Sequence, residues 1–225
     1  MSAPPAGVEQ AHTFRDGARA IAPIAVTAAV FGASFGVLAK ASGMGAVAPM
    51  VMSATTFAGS AQFAAASVLA TGGGALGAIG AAVLLNARYA PISLTVAPAV
   101  GEPLLSRLFQ SQLIVDESWA VSQVGGGRVD RKLLVGAGLV LYIGWVGGTA
   151  VGVLGAGALG DPDRYGLDAA FPALFLALLV PQVRSRHGLA AALLGAAIAL
   201  ALVPLAAPGV SIIAAAAACL VGLRR

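Results

Sequence analysis

The chain has 225 residues, of which 59% are hydrophobic and only 10% charged. An ordinary soluble domain is about 25% charged, so this composition excludes a water-soluble enzyme and points to a polytopic membrane protein. The net charge of +4 does not signal nucleic acid, because the cations sit beside apolar runs, as positive-inside placement expects. The one cysteine, Cys219, excludes an internal disulfide and any multi-cysteine metal site, and reads as a small apolar helix residue.

In chain order, residues 1–13 read as a short flexible tail of a single membrane-embedded domain, 1–225. Met1–Gly17 contains Pro4, Pro5, Glu9, Arg15 and Asp16 and lacks an apolar h-region, so the first span is expected to direct insertion itself. That span is Ala20–Ala39, uncharged and flanked by Arg15, Arg19 and Lys40. About 20 residues match a hydrocarbon core of roughly 30 Å. Pro23 falls in its first turn or so, where proline is tolerated. Gly32 and Gly36 suit a close helix contact.

The second segment, Ala46–Ala70, is interrupted by Phe57-Ala58-Gly59-Ser60-Ala61-Gln62-Phe63. Gly59 weakens the helix there. Gln62 has two readings, a satisfied interhelical amide or a group facing a cavity. Thr71–Gly74 is a tight turn. The third segment, Ala75 to about Val100, is interrupted at Asn86–Pro91. Pro91 removes a backbone donor and clashes with the carbonyl of Ala87, so the helix is expected to break beside Arg88. No other charge lies between Ala41 and Gly101. An arginine in lipid costs roughly 2.5–3.5 kcal/mol on insertion scales and usually faces a protein interior or a wet cavity.

Residues 102–131 form the main polar connection, expected in the cytoplasm. Leu104, Leu105, Leu108, Leu113 and Ile114 suggest the apolar side of an interfacial helix. Asp116 and Glu117 are either coupling groups or a solvated loop face. Leu133–Gly160 is an uncharged fourth segment with a double GxxxG stripe, Gly144, Gly148 and Gly152, expected to meet another helix or another chain. Asp168 opens a fifth segment running to Val183, as a helix cap or a coupling group. His187, beside Arg186, reads as interfacial. Gly188–Val203 and Gly209–Leu223 are about 15–16 residues each, roughly 23–24 Å and short for a crossing. The fold class is therefore all-α: a polytopic membrane bundle of about seven hydrophobic segments, some broken or short.

Arg107, Arg128, Arg131 and Lys132 place the 102–131 connection inside. Counting back through three full spans puts the amino terminus outside, yet Arg15 and Arg19 favour inside. Either the terminus is outside, or an early segment enters and returns, with 57–63 and 86–91 as candidates.

The chain has no HExxH, GxSxG or P-loop. Neither histidine lies in apolar sequence, where it could activate Ser34, Ser53, Ser60 or Ser93. An enzyme and an ATP-driven pump are both disfavoured, and no metal or cofactor is implied. A carrier or a channel remains. A free amino acid needs a cation for its carboxylate, acceptors for its ammonium and an apolar pocket. Arg88, Asn86, Gln62, Ser60, Phe57, Phe63 and Tyr89 supply these groups, and Asp116, Glu117 and Asp168 are the candidate proton carriers. The same groups suit another small carboxylate, so spacing alone gives a solute transporter.

Six stretches carry a resemblance: Phe31–Ala39, Phe57–Phe63, Leu85–Tyr89, Asp116–Ala120, Tyr142 with Trp145–Gly148, and Gly166–Phe175. Through them the chain resembles the AzlC family of branched-chain amino acid exporters, from about Gly17 to Leu223. The resemblance implies the large subunit of a two-component exporter of the bacterial inner membrane, multi-pass and driven by an ion gradient. It also implies a small membrane partner of the AzlD type. The last segments are unusually alanine-rich and offer no site.

Overall fold

The structure, a computed structural model, describes residues 12–101, 103–159, 176, 179, 180, 182–206 and 210–218. Regular structure among the described residues is helical apart from one isolated bridge, Gln123 to Val129. Two helices there are long and apolar enough to cross a membrane, and a bent pair makes a third candidate. Of the expected seven segments, the described residues show two clear spans, one bent pair and several shorter helices, with most of the fifth segment outside the described residues.

Helix α1 is Phe14–Ala39, capped by a Thr13–Asp16 capping box. It starts six positions earlier than the hydropathy edge suggests, because the capping box satisfies the first amides. Pro23 is therefore interior to the helix rather than in its first turn. A π-helical turn, Lys40–Met44, follows. The other long span, α8, is Arg131–Leu159. Between them lie α2 (Val47–Thr55), α3 (Gly59–Ala70), α4 (Ala75–Asn86), α5 (Tyr89–Val96), α6 (Leu104–Gln112) and α7 (Asp116–Val121). After α8 come α9 (Arg186–Leu202), capped by Ser185, and α10 (Val210–Ala215), which pack on each other.

The glycine stripe explains how the spans pair. Gly144, Gly148 and Gly152 of α8 lie against the backbone of Ala25, Ala29 and Ala33 in α1, while Gly32 and Gly36 of α1 lie against α8. The residue numbers rise together, so α1 and α8 run parallel. The partner of the stripe is another helix of the same chain. Small residues on both sides let the backbones touch, which is how helices associate in lipid without a hydrophobic drive.

Parallel pairing dictates what happens between the two helices. Helix α2 starts beside the far end of α1 and runs back along α8: Ser53 Oγ meets Thr149 Oγ1 at 2.9 Å, and Tyr142 donates to the carbonyl of Ala54 at 2.8 Å. The chain breaks at Thr56–Ala58. Helix α3 then returns toward the Lys40–Met44 turn, packing Phe63 edge-on against Phe35 with centroids 5.7 Å apart. So α2 and α3 form a hairpin that returns to the end of the bundle where α2 began. Helices α4 and α5, bent by 44°, carry the chain to the side where α1 began, and Gly101 ends beside the Arg131 guanidinium.

The charges agree with this arrangement: α1 begins where α8 begins, Gly17 lying against Leu133, so Arg15 and Arg19 share one end of the bundle with Arg131 and Lys132. The 102–131 connection is not all surface. In α6, Leu104, Leu105, Leu108 and Phe109 are exposed, as an interfacial helix needs, but Leu113 is only 1% exposed and its backbone packs on Gly138. The α6–α7 turn therefore pushes into the bundle. Gln112 Nε2 donates to the carbonyls of Ala54 and Thr55 at 3.3 and 2.9 Å, joining this turn to the α2–α3 break.

Candidate functional site

Three interruptions converge: the α2–α3 break, the α4–α5 bend and the α6–α7 turn. The α4–α5 bend has the expected cause. Pro91 is the third residue of α5 and donates nothing to Ala87, whose carbonyl accepts from Ala90 instead, at 3.1 Å. Arg88 sits in this bend. Its Nη2 lies 2.9 Å from Asp116 Oδ2 and donates to Ser60 Oγ at 3.0 Å and to Tyr89 Oη at 3.3 Å. The guanidinium also lies over the Tyr89 ring, 5.2 Å from its centroid.

The Arg88 and Asp116 side chains are 36% and 40% exposed, so this is a half-open pair. They border a hollow of about 170 Å³, smaller than the roughly 300–1,000 Å³ of drug-sized ligand sites and suited to a small solute. Helix α1 contributes Ile24, Thr27, Ala28 and Phe31, and α8 contributes Leu141 and Trp145. The α2–α3 break adds Phe57, Gly59 and Ser60, and the α6–α7 hairpin adds Val115, Asp116 and Glu117. The α1 residues belong to the uncharged run Ala20–Ala39, so the ion pair stands at the level of apolar sequence. Gly59 is required for closeness: a Cβ there would come within 2.8 Å of the Trp145 ring.

The expected residues separate into three groups. Arg88, Ser60, Tyr89, Phe57, Asp116 and Glu117 share the hollow. Asn86 lines a second hollow on the other side of Phe57 and Tyr89. Gln62 and Phe63 line neither. Gln62 is fully buried, accepting from the Ala58 amide at 3.2 Å and donating to Ser53 Oγ at 2.8 Å. Its geometry is that of the satisfied interhelical amide. Phe63 is core, against Phe35 and Trp145. Asp168 lies outside the described residues. The α1 and α8 lining had little sequence signal, apart from Thr27 as a hydroxyl in an apolar span and Trp145 within a family-like stretch. Three side-chain atoms around these interruptions are buried without a hydrogen-bond partner among the described residues: Asn86 Oδ1, Arg88 Nε and Trp145 Nε1.

A bundle of broken membrane helices with an ion pair at a small hollow has the general form of a solute-carrier site. The AzlC protein family matches residues 23–159, a stretch that contains every residue lining that hollow. A protein of Archaeoglobus fulgidus, named only as an uncharacterized membrane protein, is 37% identical over 214 residues, covering 91% of each chain. The chain belongs to the AzlC family. The branched-chain amino acid transport protein AzlC of Bacillus subtilis is 26% identical over 157 residues, 67% of this chain and 60% of that protein. No solved structure matches the chain. Family and relative together support a role in membrane transport.

Proposed function

We propose that this chain is the large subunit of a secondary-active exporter of branched-chain or other aliphatic amino acids, residing in the bacterial inner membrane. The observation that carries the reading is Arg88, held in a helix bend at a small hollow with apolar walls and with Asp116 and Glu117 opposite. A zwitterionic aliphatic solute presents a carboxylate to a guanidinium, an ammonium to carboxylates and an alkyl chain to apolar residues such as Ile24, Phe31 and Leu141. Ser60 and Tyr89 fix the guanidinium plane, and Phe57 closes one wall. Asp116 holds Arg88 in the empty site and releases it to the solute's carboxylate, which makes Asp116 and Glu117 the groups through which proton uptake is coupled. The named function of the Bacillus relative supports the substrate class. The small AzlD-type partner rests on family resemblance, since the glycine stripe that invited a second chain is already occupied by α1.

The test is efflux of preloaded leucine or valine from cells expressing the protein with its partner. Arg88→Ala is expected to abolish efflux while leaving the amount of protein in the membrane unchanged. Undiminished efflux would defeat the assignment. A second reading, a channel or carrier for another small solute, is favoured by the two hairpins that meet from opposite ends of the bundle, an arrangement that also lines a pore. Counterflow in proteoliposomes separates carrier from pore: a carrier is stimulated by solute on the opposite side, and a pore is not.

A further inference from the structure

A second hollow of about 410 Å³ lies on the other side of Phe57 and Tyr89, and these two residues line both spaces. Its walls are more polar: Asn86, Ser93, Ser111 and Gln112 all face it. We infer that this hollow is a second chamber for a small zwitterionic or neutral polar solute, on the same route as the Arg88 hollow, with the Phe57 and Tyr89 rings as the partition between them. The inference rests on the proposed function for its solute, though not for its connectivity.

The two rings are held in different ways. Phe57 has φ +41°, the one non-glycine residue with positive φ among those described. A bulky residue there is a strained outlier, and such strain persists where the fold over-determines it and clusters at switch regions. The strain sits in the three-residue break between α2 and α3, whose ends are held by Thr56 donating to the Met52 carbonyl and by Ala58, bonded to Gln62 through both its amide and its carbonyl, so Phe57 is the residue about which the break turns. The Phe57 ring rests edge-on against Tyr142 with centroids 5.1 Å apart. Tyr89 is tied to the charge instead, its hydroxyl accepting from Arg88 at 3.3 Å. A carboxylate that draws the guanidinium away from Asp116 pulls on Tyr89 as well, so occupancy of one chamber bears directly on the wall of the other. Gln112, bonded to the carbonyls that end α2, links the floor of the second chamber to the same break.

The experiment uses the full-length protein in membrane vesicles, with Cys219→Ser as background and a single cysteine at Ser111, in the second chamber, or at Thr27, in the first. A membrane-impermeant methanethiosulfonate reagent is applied to each face separately. From the face bearing Arg128 and Arg131, Ser111→Cys is expected to react at least tenfold faster than Thr27→Cys. Adding Phe57→Ala is expected to raise the Thr27→Cys rate about tenfold and to leave the Ser111→Cys rate unchanged. Phe57→Asn, a smaller residue that tolerates positive φ, gives the same rise if the alanine variant fails to accumulate. Ser111→Cys unreactive from both faces, or a Thr27→Cys rate indifferent to both Phe57 variants in monodisperse protein, would overturn the inference. Where the two chambers connect as expected but millimolar leucine protects neither cysteine, the chamber stands and the amino-acid assignment falls.

Discussion

Gln62 separates a site residue from a scaffold residue in a way that can be measured. It is fully buried, bridging the Ala58 amide and Ser53, which in turn meets Thr149 of α8. This chain of bonds ties the α2–α3 break to the long span. Gln62→Leu keeps roughly the same volume and removes both bonds. The Ala58 amide is then left unpaired in the interior, which costs about 1–3 kcal/mol, while Ser53 keeps Thr149 and loses about 1 kcal/mol. The expected destabilisation is about 2–4 kcal/mol. At about 2–4 °C per kcal/mol for a chain of this length, the unfolding midpoint should fall by roughly 4–16 °C, read from tryptophan fluorescence in detergent. Leucine efflux per folded molecule should stay within about twofold, because Gln62 does not line the hollow. An unchanged midpoint with efflux abolished would refute the reasoning and return Gln62 to the binding site.

Other expectations follow from the same geometry. Single cysteines at Thr13 and Val124 should react from one face of the membrane and a cysteine at Thr71 from the other; reaction of Thr13 and Val124 from opposite faces would end the re-entrant account of α2–α3. Gly148→Leu should cut the yield of folded protein severalfold, since its Cβ alone lands on the Ala29 backbone and overpacking costs about 1–3 kcal/mol before the rest of the side chain is placed; normal yield with loss of the small subunit would put the stripe at a partner. Arg88→Lys keeps the charge but not the planar fork that reaches Asp116, Ser60 and Tyr89 together; efflux should fall about tenfold or more, equivalent to about 1.4 kcal/mol, and efflux equal to that of the parent protein would show that charge alone suffices.

How much of this was legible in the sequence follows from what each interruption is made of. The α4–α5 bend was readable because one proline and one charge mark it in otherwise apolar sequence, and both act locally. The α2–α3 break was readable only approximately, since it falls at Thr56–Ala58 while Gly59 opens α3 and the part of the expected interruption from Gly59 to Phe63 is helical. Its direction was not, because a helix that turns back has the composition of one that continues. Only the register of Gly144, Gly148 and Gly152 against Ala25, Ala29 and Ala33 makes α1 and α8 parallel, and the cations at Arg15, Arg19, Arg128 and Arg131 then agree. The positive-inside conflict was itself the signal, since an odd count of full spans violates it and a re-entrant pair repairs it. The reach of Asp116 to Arg88 was hidden more deeply, because it depends on a hairpin of polar composition entering the bundle. Polar sequence normally reads as surface, yet an arginine at this level needs a counter-charge, and within the described residues the α6–α7 hairpin brings it. A cation at the level of apolar sequence therefore predicts that some acidic loop folds inward to meet it, and the loop's own hydropathy argues against that placement until the cation is counted.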